Sequence, residues 1–421
     1  MSSEFVKCRS LVINCIHLKI VQMSKLNFPE ELLSQLKTQS DVEDLVGGIY
    51  KQLVEKMLEK EMDEHLGYGK NERKSKSTSN HRNGKTSKRL KTDAGEVHIE
   101  IPRDRQSDFD PVVVPKHERM SQKVEDAIIS FYAKGMTVSD IEEQIKEIYG
   151  IKLSASTVSN ITNGVLEHLR EWQSRPLDPV YFVLWVDGIV FKVRHNGKVV
   201  NKTVYVVIGL SNTGHKEVLG LWINETESAA FWMNVFGDLQ ARGVEDVLIV
   251  CSDNLKGLTD GIQSIFPESK NQICIVHQIR NATRYVVYKD RKEFVNDMKP
   301  IYQAATIQEA HRALENLEQK WIDKYPHSIQ SWKRNWDELT TFFDYPPAIR
   351  KIIYTTNVIE SFNSMVRRQT AKKTIFPTDD AVFKSIYLAL DKINRKWKNT
   401  IWNWGLIVNQ FLIKFEDRCR I

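Results

Sequence analysis

The sequence predicts a mixed α/β fold of α+β order: a mixed sheet interrupted by an all-α insertion and preceded by mostly helical N-terminal regions. Three observations lead there. Apolar, β-branched runs crowd residues 177–276, helical periodicity with large Trp side chains fills about 280–347, and residues before 176 are helical in pattern apart from one basic stretch. At 421 residues the chain exceeds one ordinary core. The expected divisions are 1–22, 23–117, 118–176 and 177–421.

Residues 1–22 do not join the periodic pattern that begins "MSKLNFPEELLSQL", so they are expected to be a non-native or mis-assigned leader. Within them "CRSLVINCIHLKIVQ" has neither the length of a membrane span nor a small-residue cleavage site. From about Asp41 to Leu66, apolar residues at helical spacing predict one or two amphipathic helices. Lys70 to Lys91 then carries nine Lys or Arg against one acid, Glu72, among Ser, Thr, Asn and Gly, and no core is expected there. Such a run suits a solvated linker or, through Arg82, Lys85, Lys88, Arg89 and Lys91, an arm that tracks phosphates. "GEVHIEIPRDR" alternates at Val97, Ile99 and Ile101 as a short strand does, ending at Pro102.

Between Ser121 and Trp172 the order is an apolar helix, Gly135, a helix opened by Thr137 or Ser139, a turn at Gly150, and a helix opened by Ser154 or Ser156. That cadence resembles a helix-turn-helix, with Thr157, Ser159, Asn160 and Asn163 on the exposed face of its last helix. Side chains of this kind reach base edges or phosphates, although an ordinary helical hairpin has the same pattern.

"VYFVLWVDGIVFKVR", "NKTVYVVIGLS" and "KEVLGLWI" predict three antiparallel strands, with turns at His195-Asn196-Gly197 and Ser211-Asn212-Thr213-Gly214. A helix from about Ser228 to Arg242, the strand "DVLIVCS", a helix after Asp253 and the strand "QICIV" follow. This order is that of a ribonuclease H-like sheet. Trp321, Trp332 and Trp336 supply apolar surface to the insertion, and a Trp-rich C-terminal helix closes the chain.

Three acids stand out. Asp187 precedes Gly188, which reads either as a hairpin turn or as one long strand bent by a bulge at Gly188 with a carboxylate facing out. Asp253 ends "VEDVLIVCSD", where it caps the next helix or marks the carboxyl end of a sheet strand, and both readings are compatible. In "IYTTNVIESFNSMVRR", Thr356, Asn357, Glu360, Asn363, Ser364 and Arg367 gather opposite Val358, Ile359, Phe362, Met365 and Val366. Asn357-x-x-Glu360 has the form of a capping box, so Glu360 alone is a cap or a catalyst. Taken together, adjacent strands and a helix across their edge would converge Asp187, Asp253 and Glu360, and three such acids call for cations between them. Hard oxygen ligands and a phosphate substrate point to Mg²⁺, with Mn²⁺ as substitute, as two ions about 4 Å apart. Cys274 and His277 form Cys-x2-His without a second pair to complete a zinc site, so they are packed residues, or His277 contacts the scissile phosphate. Arg367, two helical turns after Glu360, is a surface arginine or a DNA-backbone contact.

Composition bounds the setting. Five scattered cysteines argue against a disulfide framework and for a reducing, cytoplasmic compartment, and a net charge of +6 matters through its clustering. With 41% hydrophobic residues and no apolar run of spanning length, no membrane partner is expected.

From about Met23 onward the chain resembles the bacterial mutator-type insertion-sequence transposases, through "NHRNG…IPRDR", "DGIVFKVR", "NKTVYVVIGL", "EVLGLWI", "CSDNLKGL", "CIVHQIRN", "KPIY" and "YPPAIRKIIYTTNVIESFNSMVRR". The resemblance implies a ribonuclease H-like domain interrupted by helices, with Asp187, Asp253 and Glu360 as the acidic triad and Cys274 and His277 as the family's Cys-x2-His signature. It implies an enzyme of the bacterial cytoplasm and nucleoid that binds the terminal inverted repeats of its element, nicks to expose a 3′-OH and joins it to target DNA with divalent metal, as a homodimer or larger assembly. "TAKKTIFP" departs from the basic, His-containing variant of many relatives. The alternatives are a ribonuclease H-like nuclease or resolvase, and a DNA-binding regulator that has lost catalysis.

Overall fold

The computed structural model describes residues 29–72, 79–93, 95–354 and 357–420, so the expected leader, Arg73, Lys74, Lys76 and Thr356 lie outside the described residues. Two compact units share the chain. One comprises residues up to Glu125 together with Ile145–Lys152, and the other Asp126–Gln144 with Leu153–Ile421.

In the first unit, helix α1 (Glu30–Gln35) precedes the long helix α2 (Gln39–Leu66). Thr38 and Asp41 cap α2 reciprocally, and Gly67 ends it with φ 75°, a left-handed conformation that glycine adopts without strain. Strands β1 (Arg82–Thr92) and β2 (Gly95–Asp104) form an antiparallel hairpin. Val54 and Leu58 of α2 pack with Leu90, Val97, Ile99 and Val114. This corrects the expectation that no core forms in the basic run: from Arg82 it is a strand, and Leu90 is buried. Its composition hides this because the strand's apolar support comes from β2 and α2 rather than from its own residues. Pro102 does not end β2, which continues to Asp104.

Helices α3 (Gln122–Ala133) and α4 (Val138–Tyr149) follow in the chain. Thr137 and Asp140 exchange cap hydrogen bonds at the start of α4, and Ser154 caps α5 (Ala155–Asn163), which α6 (Val165–Ser174) follows after Gly164.

The second unit is built on a five-stranded mixed sheet. Strands β3 (Val180–His195), β4 (Lys198–Ser211) and β5 (Lys216–Asn224) form an antiparallel meander. Helix α7 (Ala229–Ala241) leads to β6 (Asp246–Ser252), parallel to β3, and α8 (Leu258–Ile265) to β7 (Lys270–Ile273), parallel to β6. The order across the sheet is β5-β4-β3-β6-β7. β3 runs unbroken through Asp187 and Gly188, which pair with Val206 and Tyr205. The hairpin lies instead at Asn196 and Gly197, with φ 48° and 77°, the paired left-handed residues that a tight two-residue turn requires. No bulge occurs at Gly188; the register shift in β3 lies between Tyr181 and Val183.

Helices cover both faces. Tyr181, Leu184 and Val186 pack with Trp232 and Phe236 of α7 and Ile262 of α8. The opposite face, with Val183, Trp185, Ile189, Ile249 and Cys251, packs on the helices that follow the sheet. These are α9 (Ile275–Thr283), α10 (Tyr288–Gln303), α11 (Ile307–Trp321), α12 (Pro326–Arg334), α13 (Trp336–Thr340), α14 (Pro347–Ile353), α15 (Asn357–Thr370), α16 (Asp379–Lys396) and α17 (Trp404–Phe415). The expected strand "QICIV" is shorter than its apolar run: β7 stops at Ile273, and Ile275 already belongs to α9, whose cap residue is Cys274. Among the described residues no helix is long and apolar enough to cross a membrane.

Candidate active site

Strand alternation places the first two acids. Asp187 has the parity of Val183, Trp185 and Ile189, and Asp253 that of Ile249 and Cys251, so both belong to the sheet face on which α15 packs. Val186 pairs with Ser252, and the next residue on each chain is the aspartate. Both carboxylates are oriented by their own turn of backbone: Gly188 N–H donates to Asp187 Oδ1 and Asn254 N–H to Asp253 Oδ1, each at 2.8 Å. Asp253 does not cap α8, which starts at Leu258 after Gly257, so it stands at the carboxyl end of β6.

Helix α15 brings the third acid. Ile359, Phe362 and Val366 bury one side of it, which presents Glu360, Asn363 and Arg367 to the cavity, one turn apart. Asn357 is the first helical residue of α15, and Glu360 turns to Arg280 of α9, whose Nη2 lies 2.9 Å from Glu360 Oε1. This is an ion-pair distance without hydrogen-bond alignment, and Glu360 Oε1 is otherwise buried and unpartnered. Asn363 Nδ2 donates to Asp187 Oδ2 at 2.6 Å.

Asp187, Asp253, Glu360, His277, Arg280, Asn363, Ser364, Arg367 and Gly188 line one open cavity of about 530 Å³. Burial pushes the Asp187 carboxyl above the usual range, helped by the charge of Asp253, while the Gly188 N–H, His277 and Asn363 oppose it. The His277 imidazole is pushed up to about 9, first by its hydrogen bond with Cys274 and then by the charges of Asp253, Cys274 and Asp187, against the effect of burial. The acids therefore face three cations, His277, Arg280 and Arg367.

The remaining candidates divide differently. Cys274 is fully buried and caps α9, with His277 in the first turn of that helix rather than on a strand. On α5, Thr157 is half-buried against Ser154 and Asn160 is exposed. In the first unit, Arg82 pairs with Asp63 and donates to the Tyr68 carbonyl at 2.8 Å, Lys85 pairs with Glu59 at 2.9 Å, Lys88 donates to the Pro115 carbonyl at 2.7 Å and Lys91 to that of Lys152 at 2.8 Å. Arg89 is exposed. Among the described residues, the His, Cys, Asp and Glu groups whose ligand atoms lie within 4.8 Å of one another are His65, Asp104 and Asp108. There Asp104 is already occupied by Asn80 at 2.6 Å and by the N–H groups of Asp108 and Phe109.

Arg280 and Gly188 were not singled out from sequence as site residues. Arg280 was signalled by its position one helical turn after His277 in "CIVHQIRN". Gly188 belongs there because a Cβ on it would meet Thr203 Cγ2 at 2.6 Å.

Comparison with known proteins places the chain as a whole. The family model described as "Transposase, Mutator family" matches residues 22–400. The chain belongs to the mutator family of transposases. It is 41% identical to a probable transposase for an ISRM3-like insertion sequence element of Sinorhizobium fredii, over 92% of this chain and 98% of that one. It is 33% identical to the transposase for the element IS905 of Lactococcus lactis, over 89% and 95%, and 26% identical to that for IS256 in transposon Tn4001 of Staphylococcus aureus, over 84% and 91%. The cavity of this transposase thus lies wholly within the matched residues.

Proposed function

We propose that this transposase binds the terminal inverted repeats of its insertion sequence, exposes a 3′-OH at each end and joins it to target DNA, with Asp187, Asp253 and Glu360 as the catalytic acids. The convergence of these three in one cavity, from a strand, a strand end and a facing helix, carries the reading. The sheet order and the helical block between α9 and α14 support a ribonuclease H-like catalytic domain.

The donor set is chemically that of a divalent cation, hard carboxylate oxygens, one of them the buried Glu360 Oε1 without a hydrogen bond, and an Asp187 whose carboxyl burial disfavours as an anion, although as they stand the three acids do not each bring a ligand atom within 4.8 Å of the others. Asp187, Asp253 and Glu360 would hold Mg²⁺, with Mn²⁺ as substitute, supplying activation of the attacking oxygen and charge stabilisation of the leaving one. Asn363 orients Asp187. Arg280 and Arg367 offer bidentate contacts to phosphate, and protonated His277 adds a further cation beside the scissile group. The exposed Arg89, the basic strand β1 and the polar face of α5 at Thr157 and Asn160 are the proposed DNA-binding surfaces. Joining two ends calls for at least a homodimer on DNA.

The test is a purified full chain incubated with duplexes bearing the element's ends, target plasmid and Mg²⁺. Joined target–end products are expected, and their loss in Glu360→Gln with end binding kept. Cleavage without joined products would sink transposition in favour of hydrolysis, and unchanged cleavage in Glu360→Gln would sink the triad.

A further inference from the structure

Trp402 belongs to neither core of the second unit. In "IWNWG" the two tryptophans part company. Trp404 packs inward, its ring 5.7 Å from that of Phe182 and its Nε1 donating to the Asn212 carbonyl at 3.1 Å. Asn403 between them takes φ 58°, a left-handed residue just before α17, and Trp402 is left 81% exposed. A lone exposed apolar residue is ordinary, but one that continues into an apolar cavity marks a binding surface. Such a cavity, of about 340 Å³ and within the range of small-molecule sites, lies beside Trp402 among α14, the start of α15 and α17. The fully buried Trp185, half-buried Val358 and exposed Leu406 line it, and Lys216 and Lys351 add two cations. Lys216 is half-buried with its ammonium 5.8 Å from the centroid of the Trp397 ring, Lys351 is exposed, and among the described residues neither pairs with a carboxylate.

The cavity adjoins the acids. β3 contributes Trp185 here and Asp187 there, on the same side of the strand, and α15 contributes Asn357 here and Glu360 there, one turn apart. Two residues of strand span about 7 Å, the rise of about two stacked nucleotides. We propose that this cavity takes a nucleobase unstacked from the DNA end, within two nucleotides of the phosphate that Asp187, Asp253 and Glu360 attack, and stacks it on Trp402. An apolar wall beside two unpaired cations suits a nucleotide, which has a flat apolar face and an anionic phosphate. An apolar side chain of a protein partner would leave both lysines unpaired, and a second copy facing this one would bring its own two lysines toward them. Asn357 and Asn403, both exposed on the cavity, carry amides that pair with base edges. Drawing one base out of the stack turns the strand at the adjacent phosphate and opens it to the acids.

The inference deepens the proposed function and rests on it for the binding of DNA ends. The full chain is bound, with EDTA in place of metal, to end duplexes carrying iodouracil at single positions within two nucleotides of the cut, and irradiated. Cross-linking should peak at one position and map to Trp402 by peptide mass spectrometry. With Mg²⁺, Trp402→Ala should cut the ends about 5- to 150-fold more slowly, the worth of one stacked base, at an unchanged melting temperature. Trp402→Phe should recover most of that loss. A duplex abasic at the cross-linked position should be cut equally by the native chain and by Trp402→Ala, because no base then needs the cavity. Cross-links spread over all positions or mapped elsewhere, or a Trp402→Ala deficit that persists on the abasic duplex, overturn the proposal. So does a loss of self-association by Trp402→Ala in sedimentation equilibrium, which would assign the face to a second copy. A chain that cross-links at Trp402 and joins no ends would overturn transposition and leave the cavity assigned, and one that joins ends without the cross-link would do the reverse.

Discussion

Asn363 donates its side-chain amide to Asp187 Oδ2 across 2.6 Å, tying α15 to β3 beside the cavity that the three acids line. The bond fixes one oxygen of Asp187 while the Gly188 N–H fixes the other. Residues that orient a ligand in this way typically contribute about 10–100-fold to metal affinity or activity. Asn363→Ala should therefore lower metal-dependent strand cleavage by about that factor, with a raised Mg²⁺ requirement and unchanged binding of end DNA. A filter-binding titration beside the cleavage assay checks it; a parallel loss of DNA binding would reduce Asn363 to a structural role.

Asp187 also predicts a stability cost at the site. Its carboxyl lies above the unfolded value of 3.8, mainly through burial. A carboxyl raised on folding destabilises the native state at pH above both values, and the penalty shrinks as pH falls from the folded pKa and is gone below the unfolded value. Without metal, Asp187→Asn should thus melt higher than the native chain at neutral pH, and the gap should close toward acid pH. On the proposed metal site, added Mg²⁺ should raise the melting temperature of the native chain and not that of the variant, which lacks the carboxylate. Scanning calorimetry with EDTA and with Mg²⁺ across pH reads both.

Gly188 has the geometry of a close approach. A Cβ there would meet Thr203 Cγ2 at 2.6 Å and Tyr205 at 3.3 Å, across the strand pair. Gly188→Ala should cost about 1–3 kcal/mol in denaturant unfolding, as overpacking does, and Thr203→Ser in the same chain should recover part of that loss. Failure of Thr203→Ser to recover any of it would place the strain elsewhere.

Much of this was legible in the residues because strand and helix periodicities state which side is buried. The meander and the helical block follow from pattern alone, whereas each of the three acids taken singly reads equally as a turn or a cap. What misled was competition between local and long-range signals. Asp187-Gly188 has strong turn chemistry, yet fourteen residues of β4 pair along β3, and the turn falls where Asn196 and Gly197 both take positive φ. Cys274 and His277 sit in an apolar run that has no local mark for where β7 ends and α9 begins. The basic run looked coreless because its supporting side chains, Val97 and Ile99, lie on the partner strand. Glu360's contact with Arg280 joins residues far apart in sequence, which no local spacing expresses.

Lys373 gives a pH dependence remote from the acids. Its ammonium lies 3.4 Å from the centroid of the Tyr132 ring and donates to Ser385 Oγ at 3.2 Å, while Lys384, bonded to Asn163 at 2.9 Å, approaches the same ring. Burial, with Lys384 adding, lowers Lys373 to about 8 from 10.5; the ring face favours the cation and moderates the cost. The sign follows from proton counts: between about 8 and 10.5 the unfolded chain binds more protons at this site, so stability rises with pH across that window. Below it the penalty is fully present. Lys373→Met keeps the stem and removes the charge, so it should raise the melting temperature near neutral pH and flatten the rise toward alkaline pH relative to the native chain. Parallel slopes in the two proteins would show that Lys373 stays charged throughout, held by the Tyr132 ring.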